Sequence, residues 1–225
     1  MREGYKKLLE TFIQNPVFHR IWLMVRLPLV IILVLFIGLV IYRIPVVMER
    51  AKTEEVVEKI HSQKLTLEDV LGERLPPEPD SALKDATIEG IDANNNGIRD
   101  DVELAIFRLH PDSARIRAAE LQYAMALQNE LTNVFNSETL VAALQQTTRG
   151  FLCVGDTGSK VSLSDSQSVV NKAFAITNTR REEVEDLVLN TPARKDKGEQ
   201  IFDYMTSYGD IKGPNCDIDL VSLPN

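Results

Sequence analysis

The chain has 225 residues, enough for one sizeable domain and an anchor, and its 25 basic and 33 acidic residues give a formal net charge of −8. The acidic excess lies after residue 42, where 20 basic and 31 acidic residues give a net charge of −11. This charge argues against nucleic acid as a partner and against a domain that lies flat on anionic lipid.

The N-terminal part of the chain predicts a membrane anchor. Residues 1–20 are predicted to be a short amphipathic cytoplasmic segment. The run IWLMVRLPLVIILVLFIGLVIY then contains a single charge, Arg26. Its 22 residues would extend about 33 Å as a helix, and a hydrocarbon core is about 30 Å thick. We therefore predict an uncleaved transmembrane helix over 21–43 that contacts the lipid bilayer. A buried core helix and a cleaved signal peptide are the alternatives, but no A-x-A site follows the run.

The charges that flank the apolar run and the absence of one acceptor sequence indicate where the protein is located. Residues 1–26 carry five cations and residues 43–62 carry four, which favours a cytoplasmic N-terminus. No N-x-[ST] acceptor sequence is present, which favours a bacterial source. The sequence thus predicts a single-pass protein of the bacterial inner membrane with its C-terminal domain in the periplasm.

Residues 44–74 are predicted to be a juxtamembrane helix and a linker. Pro45 should break or kink the helix as it leaves the membrane. The helix that follows, over about 46–61, has a thin apolar stripe that suits a solvated stalk or a partner helix. Thr66 and Asp69 resemble a capping arrangement for the short turn TLEDVLG. The Pro-rich connector ERLPPEPDSA then leads into a domain that starts near residue 75.

Residues 75–225 predict an all-α domain, a small helical bundle, because helical periodicity dominates beyond residue 100. The only strand-like segment is TIEGI, just before residue 92. The first predicted helices are 101–109, a long helix capped by Asp112 or Ser113, and one from Ser137 to about 148. Capping boxes at Ser164 and Thr179 predict the starts of two more helices. The last predicted helix runs from Thr191 and Pro192 to about Gly209.

The two cysteines, Cys153 and Cys216, are predicted to form one disulfide bond in an oxidising compartment. Cys216 lies in the polar, turn-rich segment GPNCDID rather than in a packed helix. Two buried free thiols are the alternative, and no C-x-x-C motif indicates metal or redox chemistry.

The stretch GIDANNNGIRDDVE at 90–103 contains the pattern D-x-[DN]-x-[DN]-G-x5-E, which begins at Asp92. Calcium takes six to eight hard oxygen ligands, so alternate side chains must turn inward around one ion. Gly97 permits the sharp bend that this requires. The predicted Ca²⁺ ligands are the side chains of Asp92, Asn94, Asn96, Asp100 and Glu103 and the backbone carbonyl of Ile98.

These residues resemble the EF-hand-like calcium loops, and the resemblance covers 92–103 only. Arg99 replaces the aliphatic residue that pairs two EF-hand loops, and LKDATIEGI does not read as a long incoming helix. The stretch is therefore more similar to the single loops of the thrombospondin type 3 and dockerin kinds. The resemblance implies a structural Ca²⁺ rather than calmodulin-like sensing. The alternative is a plain loop in which the asparagines only suit turn geometry.

No catalytic motif of the G-x-S-x-G or H-E-x-x-H type occurs, and His19, His61 and His110 are scattered along the chain. We assign no catalytic residue. The sequence predicts a membrane-anchored, extracytoplasmic calcium-binding protein that serves binding or assembly with an unidentified protein partner. The alternative is a membrane-tethered periplasmic hydrolase, which a cleft with a histidine and two or three carboxylates away from the calcium loop would favour.

Overall fold

A computed structural model of the chain describes residues 16–158, 162, 165–211 and 213–224. The predicted cytoplasmic segment thus lies mostly outside the described residues, as does Ser164. The described part is all-helical and has no strand, as predicted. Its elements are α1 (Pro16–Ser62), α2 (Leu67–Leu71), α3 (Asp100–Leu109), α4 (Ala114–Asn133), α5 (Ser137–Asp156), α6 (Gln167–Val188), α7 (Pro192–Gln200) and 3₁₀ turns at Ile201–Tyr204 and Leu220–Ser222.

Helix α1 is long and apolar enough to cross a membrane. Every side chain over 24–52 is exposed, so this stretch is not the core helix of a soluble domain. The helix continues through Pro28 and Pro45, and the predicted break at Pro45 is therefore absent. Proline removes one hydrogen bond, but the neighbouring N–H groups of an apolar, exposed helix have no better partners than the helix carbonyls.

The chain divides into two compact units, Met1–Lys52 and Thr53–Asn225. The second unit thus includes the end of α1, where the sequence suggested a solvated stalk. Ile60 is fully buried against Val134, Leu140 and Ile201, and Asn136 Nδ2 donates a hydrogen bond to the Thr53 hydroxyl at 2.7 Å. The apolar stripe of this segment is therefore covered by the chain's own helices, and the compact unit begins before the predicted boundary at residue 75.

Helix α4 is the central helix of the second unit. Sixteen of its 20 residues are buried, and it contacts α2, α3, α5, α6 and α7. Five of the buried residues are alanines, which allow these neighbours to approach closely. A helix that is buried almost all round is typical of the centre of a bundle, and this one positions the elements that carry the chemistry.

Several predicted helix starts are confirmed by their caps. The Thr66 hydroxyl accepts the Asp69 N–H, and the Asp69 carboxylate accepts the Thr66 N–H, which completes a capping box. Ser113 and Thr191 cap α4 and α7. The start predicted at Thr179 is wrong because α6 runs through it without interruption. Thr and Asn cost an established helix only a few tenths of a kcal/mol each, so the local capping pattern does not end it.

The sulfur atoms of Cys153 and Cys216 lie at disulfide-bonding distance, and their Cα atoms are 4.9 Å apart, as the prediction requires. The C-terminal tail is also held by polar contacts. Gln122 on α4 donates to the Asn215 carbonyl and accepts the Asp217 N–H, both at 2.8 Å. Arg149 on α5 forms a buried ion pair with Asp217 at 2.7 Å. Asp217 is therefore a structural anion and not a free surface carboxylate.

Candidate metal centre

The backbone of the loop at 92–103 curves tightly around its first acidic side chain. The two carboxylate oxygens of Asp92 accept the N–H groups of Asn96 at 3.1 Å and Gly97 at 2.9 Å. Asn95 and Gly97 have positive φ angles of 57° and 85°. Asn tolerates this left-handed region and Gly adopts it without steric cost. The turn predicted at Gly97 is therefore present.

Successive ligand candidates follow the same inward arrangement. The side-chain oxygens of Asn94 and Asn96 accept the N–H groups two residues further on, at 3.3 Å and 2.9 Å. Asp100 closes the loop, because one of its carboxylate oxygens accepts the Ala93 N–H at 2.9 Å and its own N–H donates to the Ile91 carbonyl at 2.8 Å. The carbonyl of Ile98 remains a predicted ligand.

Glu103 brings a third carboxylate to the loop from the first turn of α3. Its side chain is fully buried, and one oxygen accepts the Asn94 amide at 3.0 Å. The other oxygen of Glu103 and the second oxygen of Asp100 are buried without a hydrogen-bond partner among the described residues. Burying a carboxylate oxygen without a donor or a cation is costly. These two oxygens therefore fit a ligand set for a hard cation.

The electrostatics of the loop agree with this geometry. Burial, reinforced by the carboxylates of Asp69 and Asp100 and opposed by the amides of Asn94 and Asn96, raises the pKa of Glu103 to about 7. Burial also raises the pKa of Asp100, and the neighbouring charge of Asp92 adds to the effect. A divalent cation between these groups would favour their charged forms. The loop thus has the donor chemistry that a bound Ca²⁺ would stabilise.

Two residues of the loop fix it to the bundle. Ile98 is buried in the main core. The guanidinium of Arg99 is also buried; it pairs with both oxygens of Asp101 at 2.8 and 2.9 Å and donates to the carbonyls of Leu187 and Val188 at the end of α6. A cation at a helix C-terminus satisfies carbonyls that have no partner in the helix. At the position where paired EF-hand loops meet, this loop instead contacts α6.

Three residues in the segment after α1 contact or neighbour the loop, which sequence reasoning did not predict. Gln63 donates to the Asn96 carbonyl at 3.3 Å and accepts the Asn129 amide at 3.1 Å. Arg74 donates to the Asn94 carbonyl at 3.1 Å, and its own carbonyl accepts the Asn94 amide. Asp69 lies close enough to affect the pKa of Glu103. The capping pattern revealed Asp69, but nothing local in the sequence indicated that these residues meet the loop.

A second feature of the surface is a groove between α5, α6 and the C-terminal tail. It contains apolar residues, among them Phe151, Phe174 and Leu220, and polar ones such as Arg115 and Asp219. The loop at 92–103 does not contribute to its lining.

Comparison with known proteins does not assign the chain to a family. The chain matches no protein-family model, no curated protein and no solved structure. Function must therefore be inferred from the residues and their geometry.

Proposed function

We propose that the protein is a single-pass, membrane-anchored protein whose acidic helical unit lies outside the cytosol, in the bacterial periplasm. In this proposal the loop at 92–103 binds one structural Ca²⁺, and the unit serves binding or assembly at the membrane. The apolar residues that line the groove between α5 and α6 support a role in binding.

One observation carries the calcium proposal. Oxygens of Asp100 and Glu103 are buried without a hydrogen-bond donor, in a loop whose inward side chains are otherwise ordered by backbone N–H groups. Water could not reach these oxygens easily, and no Lys or Arg pairs with them among the described residues. Buried carboxylate oxygens of this kind are the ligands that a hard divalent cation prefers.

The packing of the loop supports an ion that stabilises the fold rather than one that triggers a conformational change. Ile98, Arg99 and Glu103 are all buried, so the loop is part of the core and has no separate paired lobe to open. Asp92, Asp100 and Glu103 supply three formal charges, whereas Asn94 and Asn96 are neutral. Such a ligand set suits a dissociation constant of about 10⁻⁴–10⁻³ M, the range of extracellular modules.

We expect Ca²⁺ to raise the melting temperature of the protein. At ten times its dissociation constant, an ion that binds only the folded state adds about 1.4 kcal/mol, which corresponds to roughly 3–6 °C for a unit of this size. Thermal unfolding in millimolar Ca²⁺ and in chelator measures the difference. Asp92→Ala should remove it, and Mg²⁺ should substitute poorly because it retains its water shell.

Asp112→Ala is a matched control, since Asp112 is an exposed acid in the turn after α3 and outside the loop. This variant should keep the full calcium shift. Equal melting of the unaltered protein in Ca²⁺ and in chelator would show that the loop is only a turn.

The proposed topology predicts the behaviour of reporter fusions. A reporter that is active only outside the cytosol, fused after Asn225, should be active, because the cations before and within the apolar run favour retention of the N-terminus inside. A reporter that is active only in the cytosol should fail at the same position. The opposite pair of results would reject the periplasmic location. Neither result bears on the calcium proposal, which the melting experiment tests separately.

The alternative, a membrane-tethered hydrolase, would need a histidine and carboxylates together in a cleft. The structure does bring His110, Glu120 and Glu183 together. None of them lines the groove between α5, α6 and the tail, whose apolar residues support a role in binding. We therefore retain binding or assembly as the proposed role.

A further inference from the structure

Three side chains that are far apart in the sequence meet at the C-terminal end of α3. His110 follows the last residue of α3, Glu120 lies in the second turn of α4, and Glu183 lies in α6. One nitrogen or oxygen atom from each lies within 4.8 Å of the other two. His110 follows Glu103 by seven positions, so the cluster lies about 10 Å along the α3 axis from the calcium loop.

The inner part of this cluster lacks hydrogen bonds. Glu120 is 1% exposed, and neither of its carboxylate oxygens has a hydrogen-bond partner among the described residues. His110 Nε2 lies 3.0 Å from one of these oxygens, and it also has no hydrogen-bond partner among the described residues. A nitrogen and an oxygen that face each other in this way are arranged like two ligands of one ion.

We propose that His110, Glu120 and Glu183 bind a divalent transition-metal ion of the Zn²⁺ type, at a second site that is independent of the calcium loop. Bonds of about 2.0–2.2 Å in tetrahedral geometry place neighbouring ligand atoms about 3.3 Å apart. The separation of 3.0 Å between His110 and Glu120 and the limit of 4.8 Å for the whole cluster need only small side-chain movements to reach this geometry.

The donor types select the class of metal. An imidazole nitrogen with two carboxylate oxygens suits Zn²⁺ and similar ions, whereas Ca²⁺ and Mg²⁺ prefer sets made of oxygen alone. Three protein ligands leave a coordination position for water. Glu183 is exposed, so the ion can enter from solvent and reach the buried Glu120.

The surroundings hold one of the ligands, His110, in place. The guanidinium of Arg117 donates to the His110 carbonyl at 2.8 Å and to the Pro111 carbonyl at 2.7 Å, which fixes the turn that presents the imidazole. Arg180 lies close enough to His110 for its charge to act on the ring. Arg180 donates to the Thr157 hydroxyl, and its charge opposes metal binding in part.

The test is a calorimetric titration of Zn²⁺ into the full chain in detergent, with millimolar Ca²⁺ present throughout to occupy the loop. We expect one Zn²⁺ per chain. Glu183→Gln should weaken binding at least tenfold, and His110→Gln should do the same. Co²⁺ in place of Zn²⁺ should give a visible absorption band with the unaltered protein that the His110→Gln variant loses.

Matched controls lie close by. Glu182→Gln changes an exposed neighbour of Glu183, and His61→Gln removes an exposed histidine of the same unit; both should bind Zn²⁺ normally. Because Glu183 is exposed, its variant should fold, and a cooperative thermal transition like that of the unaltered protein verifies this. The proposal is overturned if the unaltered protein binds no stoichiometric Zn²⁺, or if Glu183→Gln and His110→Gln bind it as tightly as the controls.

Discussion

A soluble fragment that begins at residue 75 should be far less stable than one that begins at Thr53. The shorter fragment lacks Ile60, Leu65 and Val70, which are 0%, 6% and 0% exposed in the structure. Burial of each such side chain contributes about 1.5–3 kcal/mol, so their combined loss is roughly 5–9 kcal/mol. Whole domains have free energies of unfolding of about 5–15 kcal/mol, and the shorter fragment should therefore be largely unfolded.

Urea unfolding of the two fragments measures this difference directly. In the longer fragment, Ile60→Ala should reduce the free energy of unfolding by about 2–5 kcal/mol. Glu58→Ala is the control on the exposed face of the same helical turn and should change it by less than about 0.5 kcal/mol. If both fragments unfold cooperatively at the same urea concentration, the end of α1 is a stalk and does not belong to the folded unit.

Reduction of the disulfide between Cys153 and Cys216 should lower the free energy of unfolding by about 4 kcal/mol, the value that chain entropy gives for a closed loop of about 64 residues. Arg149 and Gln122 still hold the tail through the buried ion pair and the hydrogen bonds to Asn215 and Asp217. The reduced protein should thus remain folded in the absence of denaturant.

Urea unfolding with and without reductant measures the loss, and a variant with Cys153→Ala and Cys216→Ala should match the reduced protein and show no further effect of reductant. In the unreduced, unfolded protein neither cysteine should react with an alkylating reagent. Two reactive thiols per chain under those conditions would show that the bond does not form in the protein.

The elements that were predictable from the sequence are those with local causes. The caps at Thr66, Ser113 and Thr191 each accept the N–H group three residues further on, so a short pattern is sufficient to reveal them. The curvature of the loop at 92–103 depends on Gly97 and on side chains that accept N–H groups within five residues. The apolar run of α1 is likewise a continuous stretch.

The features that were missed depend on contacts between distant segments. A thin apolar stripe around Ile60 is compatible with an exposed stalk and with a buried helix. Only the packing of Ile60 with Val134, Leu140 and Ile201 distinguishes the two. Gln63 follows the end of α1 and contacts the loop at Asn96, 33 residues further along the chain. The cluster of His110, Glu120 and Glu183 exists only because α3, α4 and α6 pack together. The spacing of these residues in the sequence does not predict such a cluster.

The central claim is that the loop at 92–103 binds Ca²⁺ through carboxylates that are otherwise buried without partners. Calorimetric titration of Ca²⁺ into the oxidised full chain in detergent tests it most directly. We predict one ion per chain, a dissociation constant of about 10⁻⁴–10⁻³ M, and loss of the binding heat in Glu103→Gln, which keeps the size of the side chain and removes its charge. Absence of binding heat at millimolar Ca²⁺, or equal binding by the unaltered protein and Glu103→Gln, would contradict the claim.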